Sequence, residues 1–476
     1  MKLSYKIALA AVTFTLTAGS VFSQVETLFE DRFESYNFEF TGSGARAMGM
    51  GNAFLGVADD VYAINWNPAG LYKLESTILG LSYTKLSPKG EFQSERVSFN
   101  TPNPIRERLS FDRGGSFGAL TQATFVAPLR IKGHPFVGSI SYARNSSEFN
   151  EQGYKIDLIE VVPIFNEAGT FLFTDTIFET IDINSQLAGG IDAINVGFGT
   201  RIRENMAFGL SANIYSGKSQ RNSVVFISGD NLPVNNFQHG TFTSDRQVSD
   251  SNKYSGFNVT VGLKLDGKIL DAGLVVRTPF SLSQKRQRVL SQLDNVNGGP
   301  FFTDTIFQID LLTKYDIPLM VGLGVGYHYK ENWLFAADLE YRSFSSAKIK
   351  IRENLILVPG GNNIEEFDVL DASQWQYSNV FIVRAGTEFL KETSVGTIPL
   401  RAGIGYVPLP APNTDINGSR STSVSYQFSL GTGIHWNQIK LDLGYMYKTY
   451  NLKSRFFSAE EKSQNHFLNA SFTGYF

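Results

Sequence analysis

The chain contains no cysteine, few charged residues and no long hydrophobic run. The missing cysteine excludes a disulfide scaffold, a cysteine-ligated metal, a thiol nucleophile and lipid attachment to an N-terminal cysteine. Charged residues make up 18% of the chain, below the roughly 25% of a typical soluble domain. No stretch reaches the roughly 18 apolar residues that a membrane helix needs. The formal net charge of -3 argues against nucleic acid as a partner.

The first residues predict a secretory signal. Lys2 and Lys6 flank the start of a short apolar stretch, IALAAVTFTLTAG, and the small residues of VFS precede Gln24. We therefore expect a signal peptide over residues 1–23 and an exported protein.

What the chain has in abundance is alternation of apolar and polar residues from about residue 76 onward. In IKLDLGYMYK, for example, Ile439, Leu441 and Leu443 lie opposite Lys440 and Asp442. A period of two is typical of a strand with one apolar and one polar face. Fourteen segments show it, and their connections alternate between short and long. A soluble β-sandwich would not keep all its short turns at one end, so the pattern predicts an all-β fold, a 14-stranded antiparallel transmembrane β-barrel over residues 76–476.

If lipid covers the apolar faces, charged residues on the other faces line the lumen. They either pair with one another in the wall or bind a ligand, and the sequence leaves both alternatives open. The candidates are Arg277, Asp338, Glu340, Arg342, Arg384 and Arg401.

Glycines also collect on the inward faces. They either make room for a ligand or plug or relieve strand curvature, and the sequence does not separate these explanations. These glycines are Gly322, Gly324, Gly326, Gly403 and Gly405.

Catalysis finds little support in the sequence. The five histidines have no metal-like spacing, and the glycine-containing matches GGSFG, GKS and GMGNAF lack the strand-to-helix context that a nucleophile elbow or phosphate loop requires. We expect no enzyme, no catalytic residue, no metal and no cofactor.

The most unusual segment precedes the first strand. It comprises GSGARAMGMGNAF (Gly42–Phe54) and ADDVYAINWNPAGL (Ala58–Leu71). A barrel of fourteen strands is wide enough to need filling, and small residues allow close packing inside it. We therefore predict that residues 24–75 form a plug in the lumen.

The stretch GARAMGMGNAFLGVADDVYAINWNPAGL resembles the N-terminal hatch of the FadL/TodX family of outer-membrane transporters for hydrophobic compounds. IPLMVGLGVGYHYKENWLFAADLEY and PLRAGIGYVPLPAPN are similar to later parts of the family. The resemblance implies a monomeric barrel that passively takes up long-chain fatty acids or aromatic hydrocarbons. It also implies that Asn67, Pro68 and Ala69 shape the plug and that Asp59 and Asp60 anchor it to the barrel. The candidate hatch and gate residues are Asp59, Asp60, Trp66, Asn67, Pro68 and Ala69.

The hatch also resembles that of PorV-type barrels, which hold exported cargo during protein secretion. Both readings place the chain in the outer membrane of a Gram-negative bacterium, surrounded by lipid and lipopolysaccharide. They differ in the partner, which is a hydrophobic small molecule in the first and an exported protein in the second.

Overall fold

The computed structural model describes residues 42–97, 106–165, 171–235, 238–297, 299–357, 377–414, 420–454 and 459–476. The predicted signal peptide and the first part of the predicted plug, residues 24–41, lie outside these ranges.

Short helical turns occupy the segment before the first strand. They are α1 (Ala45–Gly49), α2 (Ala63–Trp66) and the 3-10 helix η1 (Pro68–Lys73). Gly44 and Gly51 bracket α1 with φ of 114° and 67°, which glycine adopts readily. A further 3-10 helix, η2 (Phe344–Ser346), interrupts the wall later in the chain. In the part of the chain that the structure describes, no helix is long and apolar enough to cross a membrane.

Among the described residues, the wall consists of eighteen strand segments. They are β1 (Ile78–Val97), β2 (Arg106–Gly114), β3 (Phe117–Ile131), β4 (His134–Phe165), β5 (Phe171–Arg203), β6 (Met206–Asn235), β7 (Gln238–Leu265), β8 (Leu270–Arg277), β9 (Phe280–Val296), β10 (Gly299–Ile317), β11 (Met320–Lys330), β12 (Trp333–Arg342), β13 (Ile349–Leu357), β14 (Val380–Thr393), β15 (Gly396–Thr414), β16 (Arg420–His435), β17 (Ile439–Ser454) and β18 (Ala459–Tyr475).

These segments form fourteen wall strands, because four strands are interrupted and each contributes two segments. The interrupted pairs are β2 with β3, β8 with β9, β10 with β11, and β12 with β13. Pro279 and Pro318 lie at two of the breaks, where a missing backbone N–H ends the ladder. Antiparallel pairing of β1 with β18, from Ile78 opposite Tyr475 onward, closes the cylinder. The predicted 14-stranded antiparallel barrel is confirmed.

The strands present apolar side chains on the outer surface of the barrel and polar side chains toward the bore. Along β12, Leu339 is 44% exposed on the outer surface, whereas Asp338 and Glu340 on either side of it are buried in the bore. An Arg or Lys on the lipid side costs roughly 2–4 kcal/mol at the midplane, and this cost fixes the register of the charged strands.

The two rims of the barrel differ. Short turns such as Lys132–Gly133 join the strands at one rim, here called the short-turn rim. At the other rim several hairpins extend far beyond the wall. β4, β5, β6 and β7 have 32, 33, 30 and 28 residues, whereas about 9–11 span a bilayer. On the side of the long connections, a large sheet therefore extends well beyond the length that a bilayer requires.

Candidate functional site: the hatch and its seat

Residues 42–75, here called the hatch, lie inside the barrel, and their apolar side chains form a core together with wall residues such as Val126 and Val275. Phe54, Ile64 and Leu71 are fully buried in it. The Trp66 ring meets Phe54 edge-on, with the ring centroids 5.9 Å apart, and its indole N–H donates to the Ser43 carbonyl at 3.0 Å. The hatch is thus a folded body, and Trp66 is part of its core.

Wall glycines form the seat of the hatch. A Cβ on Gly403 would collide with the backbone of Met50 and Gly51, and one on Gly324 would collide with Gly56. Because those contacts are to backbone, a side chain there would displace the hatch. Four of the five glycines that the sequence left unexplained face the hatch, and Gly405 faces the side chain of Gln427 in the wall instead. The four are Gly322, Gly324, Gly326 and Gly403.

Asn67 joins two parts of the hatch to the wall. Its side-chain amide donates to the carbonyls of Leu55 in the hatch, at 3.0 Å, and Leu263 in β7, at 3.1 Å. Its side-chain oxygen accepts from the Ala69 N–H at 3.1 Å and so caps η1. Pro68 begins η1, where a missing N–H costs nothing. Asn67, Pro68 and Ala69 are all buried, and every polar side-chain atom of Asn67 is used.

We expect Asn67→Ala to destabilise the hatch by roughly 1–3 kcal/mol, because it leaves buried backbone groups unpaired. Amide hydrogen exchange over residues 45–71, compared with exchange in the wall strands, measures this. Asn65→Ala is the matched control, since the Asn65 side-chain nitrogen has no hydrogen-bond partner among the described residues. Equal exchange in the two variants would contradict the role of Asn67.

Arg46 in α1 connects the hatch to the wall. Its Nε and Nη2 donate to the two carboxylate oxygens of Glu388 in β14, at 3.0 and 2.9 Å. Its Nη1 lies 2.5 Å from Asp59 and 3.9 Å from Asp60. The acidic pair therefore contacts an arginine of the hatch, and Arg46 makes the link to the barrel that the resemblance assigned to the acids. We call Arg46, Asp59, Asp60 and Glu388 the Arg46 centre.

The Arg46 centre continues into the wall. Arg401 donates to Glu388 at 2.6 Å and to Asp442 at 2.6 Å, and the His435 Nε2 lies 2.9 Å from Asp442. A continuous chain of charged groups thus runs from the hatch across β14 to β17.

The pKa values of the adjacent acids Asp59 and Asp60 are shifted in opposite directions. Burial raises the pKa of Asp60 to about 6 against the lowering effect of Arg46. Burial acts in the same sense on Asp59, but Arg46, together with Lys264 and Lys73, holds the pKa of that carboxyl well below its usual range. Asp59 is therefore a permanent anion, whereas Asp60 takes up a proton in mildly acidic solution.

A second set of polar contacts holds the hatch near the short-turn rim. Lys264 donates to the Gly56 carbonyl at 2.7 Å. Asp266, in the turn after β7, lies 2.6 Å from Lys73 and accepts from the Tyr72 hydroxyl. The C-terminal end of the hatch is thus fixed to the turn that follows β7.

The hatch also contacts the seam where the barrel closes. The Tyr62 hydroxyl lies 2.7 Å from the Leu81 carbonyl in β1 and 3.1 Å from the Phe472 carbonyl in β18. The Ala45 N–H donates to the Ser471 hydroxyl at 2.9 Å. Both strands of the seam therefore touch the hatch.

The six predicted lumen charges divide between the hatch and the wall. Asp338 accepts from the backbone N–H groups of Phe54 and Leu55, at 2.6 and 2.9 Å, and Arg277 donates to the Asn65 carbonyl at 3.3 Å. The others pair within the wall. Those pairs are Arg342 with Glu340 at 2.5 Å, Arg384 with Glu340 at 2.9 Å, and Arg401 with Glu388 and Asp442.

Farther from the short-turn rim, an apolar cluster lies on the inner wall, and its tyrosine hydroxyls bond to buried polar side chains such as Gln284. On β6 the hatch contacts Gly209, three residues from the start of the strand, whereas Tyr215 lies nine residues along it. The Tyr215 ring stacks on Phe280, with centroids 4.8 Å apart and an interplanar angle of 8°. This group, here called the lumenal apolar cluster, is separate from the hatch core. It comprises Ile191, Ala193, Tyr215, Tyr254, Phe280, Leu282, Tyr315, Ile317, Phe344, Ala347, Tyr377, Val380, Ile382 and Val407.

Comparison with protein families identifies one match. The family model described as BamG matches residues 174–396, slightly under half of the chain. The matched residues run from within β5 to the start of β15, so the match covers the middle part of the wall and leaves out the hatch and the first and last wall strands. No curated protein matches the chain.

Comparison with solved structures finds toluene transporters, a hydrocarbon channel and a FadL homologue of the same fold. The toluene transporter TodX of Pseudomonas putida has a TM-score of 0.58 and 13% identity, over 92% of this chain and 99% of TodX. A FadL homologue of Pseudomonas aeruginosa has a TM-score of 0.55 and 13% identity, over 91% and 98%. The toluene transporter TbuX of Ralstonia pickettii has a TM-score of 0.51 and 13% identity, over 92% and 100%. The chain therefore has the fold of the FadL/TodX channels.

Proposed function

We propose that the chain is an outer-membrane channel for the passive uptake of hydrophobic compounds, such as long-chain fatty acids or aromatic hydrocarbons. The lumenal apolar cluster is the observation that carries this proposal. The bore presents buried rings and aliphatic groups on the side of the hatch away from the short-turn rim, and the tyrosine hydroxyls among them are bonded to wall side chains such as Asn258 and Gln284.

Uptake of an apolar solute by this route requires no external energy source. An apolar solute gains roughly 25 cal/mol for each Å² of its surface that leaves water, so the cluster would collect solute from outside. The hatch fills the bore beyond the cluster, and we infer that it controls onward passage. The role is that of a channel, and no chemical step is assigned to any residue.

The solved channels of this fold support the proposal. TodX and TbuX are named as toluene transporters, and another match is named as a monoaromatic hydrocarbon channel, CymD. The closed barrel with an apolar outer surface supports placement in the outer membrane of a Gram-negative bacterium, as a monomer among lipid and lipopolysaccharide.

Uptake in a Gram-negative host that lacks its own such channel tests the proposal. We expect the full chain to increase the uptake of labelled oleate or toluene. Ile382→Asn in the lumenal apolar cluster should reduce that uptake about tenfold, because burying an unpaired amide costs on the order of 1–3 kcal/mol. Ile382→Leu, which conserves volume, is the matched control and should behave like the unchanged protein.

A second candidate is a PorV-type barrel that binds exported proteins. The observation that favours it is the sheet outside the membrane, where β5 alone has 33 residues. If the chain leaves the uptake of both probes unchanged but is isolated with large exported proteins, the second candidate replaces the first.

A further inference from the structure

The Arg46 centre contains more acid than base. The guanidinium of Arg46 faces three carboxylates, and the neighbouring bases are shared with other acids: Arg401 also binds Asp442, and Lys73 and Lys264 bind Asp266. Asp60 is the most weakly paired of the three, at 3.9 Å from Arg46, and its second oxygen accepts the Tyr62 N–H at 2.9 Å. A proton on Asp60 would relieve the excess without breaking a short ion pair.

The centre is within reach of solvent at the short-turn rim. The side chains of Asp59 and Asp60 retain 33% and 18% of their exposure. Asp59 also interacts with Lys264 and Lys73, which bind Asp266 in the turn after β7. Protons from the compartment on that side can therefore reach Asp60 while the hatch is seated.

We propose that the Arg46 centre is a proton-operated latch, in which a protonated Asp60 holds the hatch on its seat and an ionised Asp60 loosens it. The inference rests on the proposed function only in that the hatch must move. It assigns the control of that movement to one carboxyl group.

The direction of the pH response follows from the difference in the pKa of Asp60 between the seated and the released hatch. Burial raises the pKa of Asp60 to about 6 on the seat, and release returns the group to water, where its ordinary pKa is 3.8. The seated state therefore binds the proton more tightly and gains stability as the pH falls through 6. Between pH 5 and pH 7 the ratio of released to seated hatch should rise about tenfold.

The charged neighbours of Asp60 limit which other groups could produce this response. Asp59 remains ionised throughout that range, as its low pKa requires. His435 lies at the far end of the charged chain, beside Asp442, and must be tested separately. The charged groups facing the acidic pair are Arg46 from α1, Lys73 from η1, Lys264 from β7, Glu388 from β14 and Lys440 from β17.

Trp66 offers a reporter inside the hatch, because it is 3% exposed on the seat. Phenylalanine at positions 333, 375 and 436 leaves Trp66 as the only tryptophan of the full chain. Its quenching by aqueous acrylamide is then measured in vesicles from pH 5 to pH 8, without any transported compound. We expect quenching to increase with pH and to have a midpoint near 6.

Two adjacent acids provide matched variants with opposite expected results. Asp60→Asn imitates the protonated acid and should give low quenching at every pH. Asp59→Asn removes the close partner of Arg46 and should raise quenching at every pH; because the Asp59 charge itself raises the pKa of Asp60, the pH-dependent rise should persist and move to lower pH. His435→Gln should behave like the reporter protein itself, and heat-dependent gel mobility verifies that each barrel is folded.

A pH response that survives Asp60→Asn, or one that disappears with His435→Gln, would overturn the proposal. So would a reporter protein whose quenching does not change with pH. Because no substrate is present, these results are independent of the uptake assay, and either proposal can fail while the other stands.

Discussion

Replacing Arg46 by methionine should release the hatch while leaving the barrel folded. Arg46 contacts Glu388 through two hydrogen bonds and Asp59 through a third. Its removal leaves Asp59 buried without its closest base and Glu388 with Arg401 alone. Breaking a buried pair by removing one partner costs about 3–5 kcal/mol, and because the centre is partly hydrated we expect about 3 kcal/mol.

Amide hydrogen exchange measures this loss in the hatch alone, since local opening can be separated from global unfolding. About 3 kcal/mol corresponds to roughly a hundredfold faster exchange over residues 45–66, with no change in the wall strands. Arg46→Lys keeps the charge but not the bidentate geometry. Its exchange rate should therefore lie between those of the unchanged protein and Arg46→Met. Adding Glu388→Gln to Arg46→Met should recover part of the loss, and strictly additive effects would show that the two residues are not coupled.

Gly403→Val should also expel the hatch, for a steric reason. A Cβ at this position would overlap the backbone of Met50 and Gly51. Main-chain atoms inside a packed bore cannot relieve the overlap by changing rotamer, as a flexible side chain can. Overpacking a well-packed core costs typically 1–3 kcal/mol and occasionally more. Because the overlap involves main-chain atoms, we expect about 3 kcal/mol, seen as exposure of the hatch to added protease and as increased ion conductance.

Gly405→Val supplies the control in the same strand and on the same face. A Cβ there would approach the side chain of Gln427, with 3.0 Å to its Oε1, and that side chain can move. The hatch should stay seated in this variant. If both variants lose the hatch, strand geometry and not the seat determines the result.

Sequence patterns predicted the wall because the relevant information repeats at every strand. The alternation of apolar and polar neighbours predicts that Leu339 faces outward and Glu340 faces the bore. The same alternation applies to every strand of the barrel. The hatch offers no such repetition. Arg46 and Glu388 are separated by 342 positions, so no local sequence pattern connects them. The acidic pair Asp59 and Asp60 suggested a basic partner, but the sequence did not identify Arg46 as that partner.

The glycines show the same limit. Gly403 and Gly405 occupy equivalent positions in one alternating strand, and by sequence alone they are interchangeable. They differ only in what lies opposite, which is hatch backbone for Gly403 and a neighbouring wall side chain for Gly405. Such a difference depends on the folded hatch and cannot be deduced from period or composition.

The position of Tyr62 bears on how the barrel is closed. Its hydroxyl touches carbonyl groups of β1 and β18, the first strand and the last. A tyrosine that precedes β1 in the chain therefore bridges the two strands whose pairing closes the cylinder. The seated hatch thus adds to the stability of the closed barrel at the seam, in addition to filling the bore.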